Sequence, residues 1–464
     1  MEKIVDAINP MVKTIVQTRY EDIPEKDREV SKKCVIDTLG VLLAGSPSSG
    51  CKAIVDYVKD QGGHEESTIM VYGGKAPAPY AALANGTMAR ALDFGDAHEP
   101  AYTPHLSETT VPTAFAIAER QGKVDGKELI AAITLGNDMI ARLSLAKNIS
   151  KVFMGKSPTF TFGVFGSAAV AGKILGFDEE RMVNALGLAY GQATGNMQCY
   201  EDSSLAIRVS QGLVSRNGLC STLLAERGIT AARNILEGVA GYYPVYEQGQ
   251  YVREELVSEL GERFEGSRVS VKPYPTCKGT HATIEATLQL VREYDIKPND
   301  VIEVIVRTAQ QYPMFFAPER YRPGTMVDAQ FSIPWPVATA IVKRRFSIED
   351  LSDEALRDEV VLNVASKVRY VVDEKMAETS TGMVLGESIV DIITEDGKTY
   401  SKRIDFVRGH FKNPMSTEEV IEKFRSCVPF AARPLPERNV DAAVDMLQNL
   451  EQVDDVVKIV HLLS

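Results

Sequence analysis

Four side chains suited to proton transfer lie close together near residue 100. Asp93, Asp96, His98 and His105 fall within thirteen positions, although the whole chain contains only six histidines. A carboxylate beside an imidazole orients the ring and stabilises its cation, so this spacing favours general acid–base chemistry. A purely structural interpretation also fits, in which Asp93 ends a helix and the histidines lie in a loop. On these residues alone, both interpretations stay open.

The first of these acids follows an Ala-rich segment, 77–92, which is predicted to be helical. A clearer amphipathic helix is predicted over 26–45, where apolar residues recur at helical spacing and Gly45 supplies a stop. Only 67–74 hints at extended structure in this part of the chain. Residues 1–265 are therefore predicted to form a large all-helical domain, with further helices at 49–61, 109–121, 126–146, 160–174, 178–194, 205–227 and 231–237.

The pattern changes near Gly266. Residues 268–309 alternate as a strand, then a helix, then a strand, and the Asp396-Gly397 turn between two alternating runs predicts a hairpin. Residues 266–409 are therefore predicted to form a smaller α+β domain. The other elements predicted after residue 330 are a strand at 366–374 and helices at 332–345, 350–365, 416–429 and 437–450.

Length and composition bound the class of protein. A chain of 464 residues favours two domains, and 44% hydrophobic with 25% charged residues is typical of a soluble globular protein. The formal net charge of −12 argues against nucleic acid as a partner. An anionic substrate is still compatible, because a site can be locally basic on an acidic protein.

The cysteines and the N-terminal residues indicate in which cellular compartment the protein is expected. The six cysteines are scattered without CxxC or Cys/His spacing, so we expect free thiols in a reducing compartment and no metal site. The first residues include acids and Pro10, where a signal peptide would need an unbroken apolar run. No window is expected to reach the length of a membrane span. We therefore expect a cytoplasmic protein with no membrane partner.

Several segments of the chain resemble one known family. NGTMARALDFGD (85–96) followed by PHLSETTVPTAFAIAE (104–119) resembles the signature of the MmgE/PrpD family, and KPYPTCKGTH (272–281) is similar to its lysine-histidine motif. Further similar stretches lie at 32–45, 161–178 and 234–238. The resemblance covers nearly the whole chain in the right order.

The resemblance has implications for fold and activity. The family contains dehydratases, decarboxylases and an epimerase that act on di- and tricarboxylic acids without a metal or organic cofactor. It implies that residues 410–464 rejoin the helical domain 1–265, with 266–409 as a lid-like second domain. It also implies a homodimer formed by the helical domains. We therefore expect no cofactor, and a small carboxylic acid as the substrate.

The family chemistry needs a base, an acid and cations that hold carboxylates. By the resemblance, His105 is the general acid–base and Asp93 is its partner or a substrate-positioning group. His281 is the second acid–base candidate, placed across a cleft between the domains, although it could equally be a residue that opens a helix. The candidate cations, which could also be surface residues, are Lys272, Lys278 and Arg208. Asp96 and His98 are adjacent alternatives.

The chain also departs from the family pattern. At six positions the family motifs carry an acid, a hydroxyl, an imidazole or a lysine that this chain lacks. The residues found there instead are Gly95, Ala97, Ser157, Ile207, Ser210 and Trp335. An unpaired carboxylate in a site lined by Ile207 and Trp335 would carry a desolvation cost on the order of several kcal/mol. We therefore expect a substrate with fewer carboxylates than methylcitrate or cis-aconitate, or a more apolar one.

Three functions follow from these residues. The leading hypothesis is a cofactor-independent lyase, of the dehydratase or decarboxylase type, which abstracts a proton from a small di- or hydroxy-carboxylic acid through His105. The second is an epimerase of a dicarboxylate on the same fold. The loss of acid groups that would protonate a leaving hydroxide mildly favours epimerisation or decarboxylation over dehydration. The third is a paralogue that binds a carboxylate without turnover. Retention of Asp93, His105, Lys272 and His281 argues against the third.

Overall fold

The structure is a computed structural model, and it describes residues 5–101, 103–147, 155–309, 313–379 and 387–464. The first part of the described chain is helical, as the sequence predicts, and its core is continuous with that of the α+β part. The helices of this part are α1 (Ile8–Gln17), α2 (Glu25–Gly45), α3 (Cys51–Gln61), α4 (Ala78–Arg90), α5 (Ser107–Gln121), α6 (Gly126–Ala146), α7 (Pro158–Ile174), α8 (Glu179–Tyr190), α9 (Gln198–Glu201), α10 (Ala206–Glu226), α11 (Tyr242–Tyr246) and α12 (Arg253–Val257).

Helix α4 is held in place by a close crossing with α10. A Cβ atom on Gly212 would lie 2.2 Å from the carbonyl oxygen of Leu83, so only glycine allows the two backbones to approach this closely. Just before α4, the 67–74 segment forms a short antiparallel pair between β1 (Ser67–Thr68) and β2 (Lys75–Ala76). The position of α4 matters because its C-terminal end carries the acid at 93.

Helix α6 begins with a capping box and is one of the long apolar helices of the fold. The side chain of Asp125 accepts a hydrogen bond from the backbone N–H of Glu128 at 2.8 Å. By length and composition α6 is apolar enough to cross a membrane, contrary to the expectation from the sequence, but 94% of its most apolar window is buried inside the fold. It also contains the buried Arg142–Asp138 ion pair, at 2.7 Å. These features are those of a core helix.

Two predicted helices are wrong in whole or in part. Residues 231–237 form turns, because the carbonyls of Ile235 and Leu236 accept hydrogen bonds from the backbone N–H groups of Tyr242 and Tyr243 instead of continuing a helix. In the predicted helix 350–365, only Glu359–Ala365 is α-helical, and short 3₁₀ turns precede it. The side chain of Asp358 accepts from the backbone N–H groups of Val360 and Val361 and so starts the helix late.

The smaller part contains a four-stranded sheet in the order β6-β5-β7-β8. Its strands are β5 (Val301–Thr308), β6 (Val368–Val372), β7 (Ser388–Thr394) and β8 (Thr399–Ile404). Strands β5 and β6 are parallel, and the other two pairs are antiparallel. The predicted hairpin at Asp396-Gly397 joins β7 to β8. The helices of this part are α13 (His281–Glu293), α14 (Pro318–Tyr321), α15 (Met326–Gln330), α16 (Pro334–Lys343), α17 (Glu359–Ala365) and α18 (Glu374–Thr379).

The predicted β-α-β unit over 268–309 differs from the structure at its first strand. That strand, β4 (Val269–Ser270), does not join the sheet. It pairs in antiparallel fashion with β3 (Ala97–His98) of the helical part. This pairing carries the following residues across to the acid at 93, so a short two-residue ladder links the two parts of the molecule at the candidate site.

The C-terminal helices return to the helical part. They are α19 (Thr417–Cys427), α20 (Glu437–Gln448) and α21 (Val457–Leu462). Lys423 on α19 forms an ion pair with Asp37 on α2 at 2.6 Å and donates a hydrogen bond to the carbonyl oxygen of Phe94. The backbone N–H of Val71 donates to the carbonyl oxygen of Leu463 at 3.0 Å. These helices therefore pack behind the segment that contains the acids and histidines.

Candidate active site

Asp93 lies at a sharp turn just after α4. Its backbone is left-handed, with φ of 49°, a conformation that is uncommon for residues other than glycine and is concentrated at functional sites. The turn directs the carboxylate back onto Arg90, which donates to Oδ1. Lys272 also donates to Oδ1 at 2.7 Å and to the Asp93 carbonyl oxygen at 2.8 Å. Burial alone would raise the pKa of Asp93, but the two cations outweigh it and hold that pKa well below its ordinary value.

His105 is fixed in one tautomer by the backbone. Its Nδ1 lies 2.7 Å from the carbonyl oxygen of Asp96, and because a carbonyl can only accept, Nδ1 carries the proton. Nε2 then keeps its lone pair, at 3.3 Å from Oδ1 of Asp93. The backbone N–H of His105 donates to Oγ1 of Thr159 at 3.0 Å. Burial, with the charges of Arg90 and Lys272, lowers the pKa of His105 well below its ordinary value, so the ring is neutral at neutral pH.

A pocket opens beside these two residues, with about 590 Å³ of empty volume including its mouth. Asp93, His105 and Ser157 are the predicted site residues that line it. Most of the remaining lining is apolar or aromatic, so one polar corner faces an apolar wall. The other lining residues are Arg90, Thr103, Pro158, Thr159, Met197, Tyr200, Cys277, Met314, Phe315 and Phe331.

Asp96 and His98 lie behind the pocket and are not part of its described lining. Asp96 accepts hydrogen bonds from the backbone N–H and the hydroxyl of Ser107, at 3.1 and 2.8 Å, at the start of α5. Burial raises the pKa of Asp96 to about 6. His98 donates through Nε2 to the carbonyl oxygen of Glu265 at 2.9 Å, and burial lowers its pKa to about 4. Both residues hold the loop in shape.

The lysine-histidine motif also faces inward. Lys272 is fully buried against Asp93, and Lys278 forms an ion pair with Glu99 at 3.2 Å. His281 donates through Nε2 to the carbonyl oxygen of Thr276 at 3.1 Å, and burial, together with both lysines, lowers its pKa well below the ordinary value. None of these three predicted site residues is in the described pocket lining.

The structure does not bring the other predicted substrate-binding residues to the pocket. Trp335 has no exposed surface and donates to the carbonyl oxygen of Asp350 at 3.4 Å, because the first turn of α16 directs it into the core of the smaller part. Ile207 is also a core residue. Arg208 is buried and donates to the carbonyl oxygen of Ser49 at 2.7 Å. The expectation that Trp335 and Ile207 line the site is therefore not met.

Sequence reasoning missed several residues of the pocket. Arg90 is the last residue of α4 and lies three positions before Asp93 in the sequence, a spacing at which a cation and an acid can meet, so this residue could have been found. Tyr200 and Cys277 gave no sequence signal. The Tyr200 hydroxyl accepts from Nη2 of Arg90 at 3.5 Å, and burial raises its pKa to about 12, so it keeps its own proton.

Two cations, Arg90 and Lys272, contact the Asp93 carboxylate at the pocket. Asp96, behind the pocket, adds a second negative charge at neutral pH, because its pKa is about 6. The neighbouring Glu108 carries a proton at neutral pH because burial raises its pKa to about 8. The arrangement therefore provides a neutral base in His105, a phenol that can donate a proton in Tyr200, and a cationic corner for an anion. Within the described residues, no cluster of His, Cys, Asp or Glu could hold a metal ion.

Comparison with known proteins identifies the family. Residues 10–255 match the MmgE/PrpD N-terminal domain and residues 274–460 match the MmgE/PrpD C-terminal domain. Together these matches cover most of the chain and both sides of the pocket. The chain belongs to the MmgE/PrpD family.

The curated relatives are enzymes. Cis-aconitate decarboxylase of Aspergillus terreus is 26% identical, over 96% of this chain and 93% of that protein. The human cis-aconitate decarboxylase is 25% identical, over 94% and 89% of the two chains. The mitochondrial 2-methylcitrate dehydratase of Yarrowia lipolytica is 22% identical, over 85% and 79%. The protein is an MmgE/PrpD-type lyase.

Proposed function

We propose that this lyase removes a carbon-bound proton from a small carboxylic acid, with His105 as the base. The observation that carries the proposal is the geometry of the His105 ring. Nδ1–H donates a hydrogen bond to the Asp96 carbonyl oxygen. Nε2 therefore keeps its lone pair, 3.3 Å from Oδ1 of the ionised Asp93. When Nε2 takes a proton, Asp93 becomes the counterion of the new imidazolium. The ring is therefore built to accept a proton from the pocket side.

The other polar groups of the pocket fit the later steps. Arg90 would hold the substrate carboxylate and stabilise the negative charge that spreads onto it as the carbon–hydrogen bond breaks. That electron pair becomes the new double bond, and the bond to the leaving hydroxyl breaks. The phenol of Tyr200 would give its proton to the leaving oxygen, so that water departs. In a decarboxylation, a carboxylate leaves as carbon dioxide and the same phenol would protonate carbon.

The pocket lining supports a carboxylic acid with an apolar group. Arg90 is the one lysine or arginine in the described lining, whereas Met197, Met314, Phe315 and Phe331 form an apolar wall. We therefore propose a substrate with one carboxylate near the reacting carbon and an apolar substituent, rather than a tricarboxylate.

The epimerase alternative requires a second base on the opposite face of the carbon. His281 was the candidate, but its Nε2 is tied to the Thr276 carbonyl, and the residue is not in the described lining. His105 is the one imidazole among the described lining residues. The lyase proposal is therefore preferred to epimerisation.

Proton NMR in heavy water tests the proposal. Wild-type protein is incubated with cis-aconitate, 2-methylcitrate and hydroxy acids that carry one carboxylate and alkyl groups of increasing length. We expect deuterium exchange at one carbon and a new vinyl signal with a monocarboxylic member, both lost in His105→Asn. Exchange without a vinyl signal would mean epimerisation. Thermal stabilisation by these acids with no exchange would mean a binding protein, and either result would overturn the lyase proposal.

A further inference from the structure

Glu108 is a buried acid that the mechanism above does not use. It lies in the first turn of α5 with no exposed surface, and neither carboxyl oxygen has a hydrogen-bond partner among the described residues. Its Oε2 lies 3.5 Å from Nε of Arg90, and its Oε1 lies 3.9 Å from Nδ1 of His105. Both of these neighbours line the pocket. The carboxyl group therefore contacts the cation and approaches the base from the side away from the substrate.

The space for this carboxyl group depends on Gly95. A Cβ atom on Gly95 would lie 2.6 Å from Oε1 and 2.9 Å from Cγ of Glu108, closer than any real contact of that kind. Gly95 therefore leaves the space that the Glu108 carboxyl group occupies beside Arg90.

We propose that Glu108 is a positioning residue that controls, by gaining and losing its own proton, how much of the Arg90 charge is available to a substrate carboxylate. The inference rests on the proposed function only for the identity of the substrate. When Glu108 is protonated, Asp93 is the one anionic partner of Arg90 among the described residues. When Glu108 is ionised, a second anion competes with the substrate for the same guanidinium.

The groups that face Glu108 set the direction of the pH effect. They come from α4 and the turn after it, from the loop before α5, and from the segment after β4: Arg90, Asp93, Asp96, His105 and Lys272. Burial raises the pKa of Glu108, against the lowering effect of Arg90 and Lys272. Glu108 is therefore protonated at neutral pH and ionises as the solution becomes alkaline, so carboxylate affinity falls as pH rises.

The first test needs no substrate. In protein labelled with ¹⁵N-arginine, the Nε–H resonance of Arg90, assigned with Arg90→Lys, is followed from pH 6 to pH 10. We expect it to shift with a midpoint near the Glu108 pKa of about 8 in wild type and to stay constant in Glu108→Gln, which keeps the size of the protonated group. A resonance that titrates identically in both proteins, or in neither, overturns the proposal.

The second test measures binding of a carboxylate probe, cis-aconitate or the acid that the NMR screen selects, by calorimetry. We expect the wild-type dissociation constant to rise about tenfold between pH 7 and pH 9, and that of Glu108→Gln to stay constant. Equal pH profiles would overturn the proposal even if Arg90 titrates. If no carboxylate binds either protein at any pH, the proposed function fails, and the Arg90 resonance alone decides whether Glu108 acts on Arg90.

A double-mutant cycle tests the pairing with Gly95. We expect Gly95→Ala to lower the melting temperature and to abolish the alkaline shift of the Arg90 resonance, because the new methyl group displaces the carboxyl group. In a Glu108→Ala background the same substitution should cost little, since the clash has gone. Additive effects in the cycle would show that Gly95 does not shape the position of Glu108 and would overturn this part of the inference.

Discussion

Two segments with similar residues do different work in this molecule. Residues 93–108 and 272–281 both combine histidine with charged side chains, and each contributes to the same corner of the fold. The first segment presents Asp93 and His105 to the pocket. The second directs Lys272, Lys278 and His281 into ion pairs and backbone hydrogen bonds, so that among its described residues Cys277 alone lines the pocket. In the proposed function, the first segment carries the chemistry and the second holds it in place.

The difference follows from the backbone and not from residue type. The left-handed turn at Asp93 points a carboxylate into the open corner, whereas the pairing of β3 with β4 brings Lys272 in from behind. An amine that donates to both the carboxylate and the carbonyl of Asp93 fixes that turn. In this molecule, Lys272 therefore contacts the acid without joining the described pocket lining.

The largest expected effect separates the two histidines. His105→Asn should lower kcat/KM by about 10²- to 10⁴-fold, because it removes the proposed base. His281→Asn should leave kcat/KM nearly unchanged, since an amide can still donate to the Thr276 carbonyl. Steady-state kinetics on the substrate found by NMR, with circular dichroism to check folding, makes the comparison. An equal loss in both folded variants would mean that the second segment also carries chemistry.

The next effect tests whether Lys272 is structural. Lys272→Met removes two hydrogen bonds from an ammonium group to Asp93, although Arg90 still pairs with the carboxylate, so we expect the free energy of unfolding to fall by about 1.5–3 kcal/mol. The double variant with Asp93→Asn should lose more, because Arg90 then has no anionic partner among the described residues while Glu108 is protonated. Urea unfolding at pH 7 measures both. A Lys272→Met protein of full stability with a raised KM would instead make Lys272 a substrate-binding residue.

The sequence predicted helices well where the spacing of apolar residues within the segment is clearly helical. The helices predicted at 26–45, 126–146 and 205–227 are Glu25–Gly45, Gly126–Ala146 and Ala206–Glu226 in the structure. The prediction failed at 231–237 and at the first strand of the β-α-β unit. In those places the backbone bonds to a distant segment, at Tyr242 and Tyr243 or at β3, and periodicity carries no information about such partners.

The candidate site was only partly predictable for the same reason. Asp93, His105 and Ser157 reach the pocket, and Arg90 could have been found from its helical spacing to Asp93. Tyr200 could not, because its neighbours come from distant parts of the chain. Trp335 was assigned to the pocket by alignment with a motif, but alignment does not say which way a side chain turns at the start of a helix.

A smaller effect is expected from the proposed proton donor. Tyr200→Phe removes the hydroxyl that accepts from Arg90 and keeps the ring against Phe331, whose centroid is 5.3 Å away. We expect kcat to fall about 10²-fold, the lower end of the range for general acid–base catalysis, with little change in melting temperature. A loss seen only in KM would make Tyr200 a binding residue. An unchanged kcat would mean that water donates the proton and that Tyr200 does not act together with His105.

The smallest effect is expected at Cys277, where the second segment meets the pocket. Burial raises the pKa of its thiol to about 11, an effect that the nearby Asp93 charge reinforces, so the thiol is protonated at neutral pH and is a poor nucleophile or base. Cys277→Ser should therefore change kcat/KM by no more than about threefold. In a variant whose other five cysteines are replaced by serine, alkylation of Cys277 by iodoacetamide should be slow at pH 8 and should accelerate towards pH 11. Fast alkylation at pH 8, or a large loss of activity in Cys277→Ser, would mean that residues 272–281 also take part in the chemistry. The proposed difference between the two segments would then be wrong.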